Sequence, residues 1–294
     1  MRPEPVVVWS KQRRSLRGLS ELPAEYGVIG HPVSHSRSPF IHGLFAQQTR
    51  QNMIYRLHDV SPADLPAFVT EFWRRGGKGL NVTVPHKISA SGMVRTLSER
   101  ATRAGAVNTL LMDADGITGD NTDGAGLVRD LTVNQKIALA GARILLVGSG
   151  GAARGVIGPL LDESPELLTV AGRSAAAAVA LGRQFAARGP VRGYGLDAIA
   201  SGAFDIVINA TSAGLAGKAP AIPASVLTHS TFCYDLSYAK AGTAFLQWAR
   251  DKGCKRSAQG WGMLVEQAAE SFELWRGVRP QTAGVLTALV SGSS

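Results

Sequence analysis

Apolar and polar positions along the chain alternate between two rhythms. YGVIG (26–30) is a short continuous apolar run closed by Gly30, His31 and Pro32, which predicts a buried strand ending in a turn. SPFIHGLFAQQ (38–48) then sets Phe40, Ile41, Leu44 and Phe45 at helical spacing, with Pro39 near its start, where a proline suits a first turn. MIYRLHDV (53–60) predicts a second strand. Ser61-Pro62 opens a helix carrying Leu65, Phe68, Val69 and Phe72, and GGKGLNVTV (76–84) is a glycine turn leading into a third strand. Strands alternating with helices predict an α/β unit with a parallel sheet.

A second series follows GDNTDG (119–124). A helix over 125–131 is predicted as the link. Then come a fully buried strand, RILLVG (143–148), a helix, GAARGVIGPLLD (151–162), a strand, LLTVAGR (167–173), and an Ala-rich helix over 174–188. FDIVINAT (204–211) and FCYDLSY (232–238) predict further buried strands, and 260–275 a helix with Met263, Leu264, Ala268, Phe272 and Trp275 at apolar positions. The 294 residues suit two domains at about 150 residues each. The expected division is an extension over 1–23, an α/β domain over 24–123 that the C-terminal helices (260–294) rejoin, and a second α/β domain of Rossmann type over 124–259.

Residues 148–153 read Gly-Ser-Gly-Gly-Ala-Ala, a GxGxxA pattern with Gly148, Gly150 and Ala153 in the small positions. It follows a buried strand and opens a helix at Gly151, the context a dinucleotide pyrophosphate requires. The first glycine makes the turn and the second admits the phosphates. The third small residue lets helix and strand pack closely, while the helix N-terminus offers N–H donors. Gly148, Ser149, Gly150, Gly151 and Ala152 are the cofactor-binding candidates here. The next strand ends in Gly172-Arg173-Ser174, with no carboxylate to accept from a ribose 2′-hydroxyl. A guanidinium pairs with a 2′-phosphate and a hydroxyl adds a hydrogen bond, so NADP is expected over NAD.

NVTVPHK (81–87) puts Asn81 and Thr83 on one strand face, two residues apart, and Lys87 in the turn after Pro85. Ligands in open α/β sheets sit beyond strand C-termini. Asn108 in AGAVNT (104–109) and Asp120, Asn121, Thr122 and Asp123 in GDNTDG add further polar groups, although Asn, Asp and Gly also serve ordinary turns.

Composition narrows the setting. Hydrophobic residues make up 45% and charged residues 18%, enough apolar material for a packed core. The net charge is +9; residues 1–23 hold +3 of it, and the rest is spread along the chain, as on a solvated surface. No zinc-finger spacing or RNA-binding aromatic signature accompanies it, so no nucleic-acid partner is expected. Cys233 and Cys254 form no CxxC pair, which fits a reducing compartment and a cytoplasmic location. No apolar run approaches the ~20 residues of a membrane span. VVVW near the start is bracketed by Pro3, Pro5 and Lys11, unlike a secretory h-region. His31 and His35 have no nearby carboxylate set, and no metal is expected.

Taken together, SHSRSPFIH (34–42), NVTVPHK, AGAVNT, GDNTDG, GSGGAARG (148–155), NATSAG (209–214), YDLSYAK (234–240) and GMLVEQAA (262–269) resemble the shikimate dehydrogenase family, in that family's order and over about residues 24–280. The resemblance implies NADPH-dependent reduction of 3-dehydroshikimate to shikimate on the route to aromatic amino acids. It implies Lys87 and Asp123 as the catalytic pair. Ser36 and Ser38 are implied for the substrate carboxylate, Asn81, Thr83 and Asn108 for its hydroxyls, and Tyr238 and Gln267 as further substrate contacts. Thr211, Gly260 and Met263 are implied on the cofactor side, and a homodimer is implied. An ammonium beside a ketone that gains hydride can donate the proton or stabilise the developing oxyanion, and both roles stay open for Lys87. Departures from the family pattern are His86, where an aromatic is usual, Ser149 for Ala, Trp261 beside Gly260, and the absence of a second arginine after Arg173. The alternatives are a quinate/shikimate or aminoshikimate enzyme, or a catalytically silent NADP-binding regulatory module.

Overall fold

The computed structural model describes residues 22–113, 116–199 and 202–292; the extension expected over 1–23 lies outside them except for its last two residues. The first half builds β1 (Ala24–Gly30), α1 (Ser38–Thr49), β2 (Met53–Asp59), α2 (Leu65–Arg74), β3 (Gly79–Val82), α3 (Lys87–Ser91), β4 (Thr96–Leu97), α4 (Glu99–Ala104), β5 (Thr109–Asp113) and β6 (Gly116–Asp120). Its sheet has the order β2-β1-β3-β5-β6-β4. β2, β1 and β3 run parallel, as the βαβαβ pattern predicts, but β5 pairs antiparallel with both β3 and β6. The sheet is therefore parallel through the predicted βαβαβ unit and mixed overall, because β5 runs antiparallel to its two neighbours. β5 and β6 form a hairpin, and a hairpin needs no crossover helix for the periodicity to betray.

After α5 (Asp123–Arg129), whose last turn widens into a π-helical turn over Asp130–Asn134, the second half adds β7 (Arg143–Val147), α6 (Gly151–Asp162), β8 (Leu167–Gly172), α7 (Ala175–Phe185), β9 (Val191–Gly195), β10 (Ile206–Asn209), β11 (Phe232–Asp235), α8 (Ala244–Asp251) and β12 (Arg256–Gln259). All its strands are parallel, in the order β12-β11-β10-β7-β8-β9. Strands buried on both faces must be apolar at every position. RILLV meets that demand: Ile144 and Leu146 pack with Val156, Ile157 and Leu160 of α6, while Leu145 and Val147 pack with Phe245 and Leu246 of α8.

The chain then returns to the first sheet through α9 (Trp261–Arg276) and α10 (Ala283–Ser291). Val265, Ala268, Ala269 and Phe272 of α9 pack on Ile41 and Phe45 of α1, and the Trp275 indole N–H donates to the Leu110 carbonyl at 3.0 Å. α9 also lies close along α5. A Cβ on Gly126 would come within 2.7 Å of the Gln267 backbone nitrogen, so only glycine lets the two helices approach this far. Among the described residues no helix is long and apolar enough to cross a membrane.

His42 of α1 is fully buried, stacked on Tyr55 with ring centroids 4.2 Å apart and planes 6° from parallel. Burial pushes its pKa down to about 3, against a smaller opposing effect of the nearby Asn81 amide. Unfolded histidine takes its proton near 6.5. Between about pH 6.5 and 3 the unfolded chain thus holds a proton that the native protein refuses, and stability falls as pH falls. Relative to a His42→Phe variant, the parent should lose up to ~1.4 kcal/mol of unfolding free energy per pH unit across that window, read from urea titrations at several pH values. Parallel curves for the two proteins would rule this linkage out.

Candidate active site

Lys87 is the first residue of α3 rather than part of a turn, delivered there by the strand end at Val82 and the turn at Pro85. Its ammonium lies 2.5 Å from Asp123 Oδ2, and the two side chains are only 13% and 4% exposed. Asp123 is the first residue of α5, where the positive end of the helix dipole favours a carboxylate. Its second oxygen, Oδ1, accepts from Asn108 Nδ2 at 2.9 Å. Both oxygens of the buried carboxyl are thereby matched by donors, as burial of a polar group requires.

The two aspartates of GDNTDG have separate tasks. Burial opposes ionisation of Asp120, but the Arg100 guanidinium, at 2.7 and 2.8 Å, with Ser98 and the Asn121 N–H, holds its carboxyl below the usual range. Asp120 ties β6 to α4; Asp123 alone faces the lysine.

Asn108 joins the pieces. Besides Asp123, its Nδ2 reaches Thr122 Oγ1 at 2.8 Å and Gln267 Oε1 at 3.2 Å, and its Oδ1 accepts from the Thr122 N–H at 2.8 Å. The Gln267 amide is oriented by its own Nε2, which donates to the Leu264 carbonyl at 2.9 Å. Asn81 Nδ2 donates to Ser271 Oγ at 2.9 Å and to the Asn108 carbonyl at 3.2 Å. Lys87, Asp123, Asn81, Asn108 and Gln267, scattered along the sequence from residue 81 to residue 267, thus form one continuous polar cluster at the ends of β3, β5 and β6. Ser36 and Ser38 stand beside each other, Oγ to Oγ 3.1 Å. Ser38 is already the first helical residue and makes no capping bond, which leaves it without the capping role a Ser-Pro pair suggests. Thr83 faces Gly30 and holds β1 through its N–H to the Ile29 carbonyl at 2.9 Å.

Across from this cluster lies the glycine loop. Gly148 has φ +131°, a left-handed value, and a Cβ there would meet the Ala210 carbonyl at 2.9 Å. α6 starts at Gly151 with Gly150 as its N-cap, no side chain capping it, and nothing within 4 Å of where a Gly150 Cβ would stand. Such a helix start accepts a diphosphate without rearrangement. Gly151 also brings the start of α6 against the lysine: a Cβ on it would lie 3.0 Å from Lys87 Cβ. Arg173 and Ser174 are exposed at the end of β8, with Ser174 Oγ accepting the Ala177 N–H as cap of α7. That bond uses the hydroxyl as acceptor and leaves its proton for an anion. Thr211 Oγ1 donates to Asn209 at 2.8 Å, and Gly260 and Met263 stand at the start of α9. These groups fit a dinucleotide carrying a 2′-phosphate.

The Tyr238 ring lies tilted by 35° against Trp261, 4.3 Å between centroids, and its hydroxyl meets the Arg37 backbone, between the two serines. Burial raises its pKa, and Arg37 opposes the rise. A cavity of about 160 Å³ lined by His35, Arg37, Tyr238, Lys240 and Trp261 opens at this point.

The comparisons with known proteins follow the same division. The family description "Shikimate dehydrogenase substrate binding domain" matches residues 28–110, "Shikimate / quinate 5-dehydrogenase" matches 131–222, and "Shikimate 5'-dehydrogenase C-terminal domain" matches 260–290. A protein of Methylococcus capsulatus named shikimate dehydrogenase (NADP(+)) is 52% identical over 268 residues, covering 91% of this chain and 96% of its own. The chain belongs to the shikimate dehydrogenase family. Among solved structures, an Ael1 enzyme from Pseudomonas putida is 44% identical with a TM-score of 0.84, covering 90% of this chain and 98% of its own. The shikimate 5-dehydrogenase of Thermus thermophilus, solved with NADP(H) and shikimate, is 31% identical with a TM-score of 0.80, covering 92% and 100%. The mixed first sheet and the Rossmann-type second sheet are those of the shikimate dehydrogenase fold.

Two residues of this site carried no assignment from the sequence, Ser271 and Tyr55. Ser271 is fully buried inside the polar cluster beside Thr122, and Tyr55 donates to Asn81. Ser271 falls on the inward face of α9 four residues after Gln267, which was the available signal. Tyr55 sits mid-strand between Ile54 and Arg56 and had none. His86 is buried, with Nε2 2.7 Å from the Val60 carbonyl, so it ties α3 to the end of β2 and stands apart from the reacting groups. His31 has a single carboxylate neighbour, Asp59 at 2.6 Å. No group of three or more potential metal ligands gathers among the described residues.

Asn108→Ala should strip the cluster of its central donor and acceptor and leave buried polar atoms of Asp123, Thr122 and Gln267 short of partners. An unfolding free energy lower by roughly 2–4 kcal/mol is expected by urea titration. A loss under ~0.5 kcal/mol would show that the cluster is not the joint described.

Proposed function

We infer that this protein catalyses the reversible NADPH-dependent reduction of 3-dehydroshikimate to shikimate. The observation that carries the reading is the shielded Lys87–Asp123 pair, set within a cluster of hydroxyl-binding amides and directly under the start of α6. NADP supplies and takes up the hydride. The chain's own residues do the rest. Ser36 and Ser38 donate hydroxyl hydrogens to the substrate carboxylate. Asn81, Asn108 and Gln267 bind the ring hydroxyls, with Thr83 at the rim, and Tyr238 closes over the substrate from the opposite side. Lys87 delivers a proton to the carbonyl oxygen as its negative charge develops, while Asp123, paired with its ammonium, holds it in position. Gly148, Ser149, Gly150, Gly151 and Ala152 hold the diphosphate, Arg173 and Ser174 the 2′-phosphate, and Thr211, Gly260 and Met263 the nicotinamide end.

The domains implied are 24–123 with 260–294 for substrate and 124–259 for cofactor. The two cysteines are free and buried, which supports a cytoplasmic setting, and the family resemblance supports a homodimer without membrane association. A quinate/shikimate dehydrogenase is the second reading, since one matching family description names both substrates.

Absorbance at the reduced-nicotinamide band, with shikimate and quinate each paired with NADP⁺ and NAD⁺, separates the readings. Reduction chiefly with shikimate and NADP⁺ is expected. Comparable rates with quinate favour the second reading, and no turnover in any pairing overturns the enzymatic one. Lys87→Ala should lower kcat by at least ~100-fold while NADP⁺ affinity stays within about twofold. Arg173→Ala should weaken NADP⁺ roughly tenfold or more and leave NAD⁺ nearly unchanged; equal losses for both would remove Arg173 from the 2′-phosphate site.

A further inference from the structure

Tyr55 projects from the middle of β2, a strand with no assigned part in the chemistry. Its hydroxyl donates to Asn81 Oδ1 at 2.7 Å, with the Ser38 hydroxyl beside it. It therefore sits between two groups assigned above to opposite ends of the substrate. The orientation of the Asn81 amide is not free. On its nitrogen side lies the Asn108 backbone carbonyl at 3.2 Å, which can only accept, with Ser271 Oγ at 2.9 Å and Thr109 Oγ1 at 3.2 Å. The nitrogen is thus committed inward, and Oδ1 is left facing Tyr55. One lone pair of Oδ1 takes the Tyr55 proton, and the second is the one a substrate hydroxyl would use.

The Tyr55 ring is itself fixed. The buried His42 imidazole lies flat against it, 4.2 Å between centroids and 6° between planes, and Trp275 crosses it at 6.4 Å. The hydroxyl donor is therefore held in place before any ligand arrives, and orientation settled in advance is not charged against binding.

We propose that Tyr55 is a positioning residue for the substrate: it locks the Asn81 amide with Oδ1 presented as an acceptor, so that a ring hydroxyl meets an oriented partner. The proposal rests on the substrate assignment above, but part of its test does not. The Tyr55→Phe variant keeps the ring and its stack on His42 and removes only the hydroxyl.

The first measurement is hydrogen exchange of the Asn81 side-chain amide, followed by NMR on the full-length protein without ligand. Exchange at least tenfold faster in Tyr55→Phe, with the transition temperature little changed, is expected; unchanged exchange overturns the lock whatever the protein turns over. The second is steady-state kinetics with shikimate and NADP⁺. The KM for shikimate should rise roughly tenfold, equivalent to ~1.4 kcal/mol, with kcat within about twofold and the KM for NADP⁺ unmoved. In an Asn81→Ala background the same substitution should add little, because its effect passes through Asn81. A full-sized effect there, or an unchanged KM in the single variant, overturns the proposal. A parent protein that does not turn over shikimate at all defeats the substrate assignment instead, and the exchange measurement still decides whether Tyr55 locks Asn81.

Discussion

A carboxylate almost wholly removed from water must be matched at both oxygens, and Asp123 is matched by Lys87 on one side and Asn108 on the other. Much of the architecture follows from that requirement. Lys87 arrives from the end of β3, Asn108 from the residue before β5, and Asp123 from the start of α5, so three separate connections must end at one point. α9 closes the cluster with Gln267 and Ser271, and it comes that close because Gly126 leaves room for it. Removing one partner from such a pair leaves an uncompensated buried charge, which costs far more than the pair contributes while intact.

The same cluster explains why the chain crosses between its two sheets twice. α5 leaves the first sheet carrying Asp123 at its start, and the second sheet is then completed without interruption through β12. α9 begins at the edge of that sheet and runs back across the first. Both crossings contribute to the polar cluster, one at its start and one near its middle. The helix that follows the glycine loop begins against Lys87, so a cofactor laid on α6 is brought to the lysine by the fold itself rather than by a flexible arm. Reacting groups placed on rigid elements need little further ordering when a ligand binds.

Much was legible along the chain because it concerns local physics. Buried parallel strands such as RILLV and FDIVINAT carry an apolar signal at every position. GSGGAA announces a tight turn and a helix start suited to phosphates, and the lack of a carboxylate after β8 excludes the usual grip on a ribose 2′-hydroxyl. Lys87 and Asp123 were legible for a different reason, as part of a set of motifs whose order resembles a known family. The hairpin of β5 and β6 escaped notice because short strands leave little periodicity. Tyr55 escaped because an aromatic in a strand is ordinarily core.

The sequence by itself determined the two α/β series, the place of the dinucleotide loop and the residue types available for chemistry, since turns, helix starts and strand burial depend on neighbours a few positions away. Only the tertiary structure decided that Asp120 is taken up by Arg100, that His86 is a tie within the fold, and that Tyr55 holds the Asn81 amide. Each of those depends on atoms brought within hydrogen-bonding distance by packing across the sheet, and spacing along the chain carries no record of such distances.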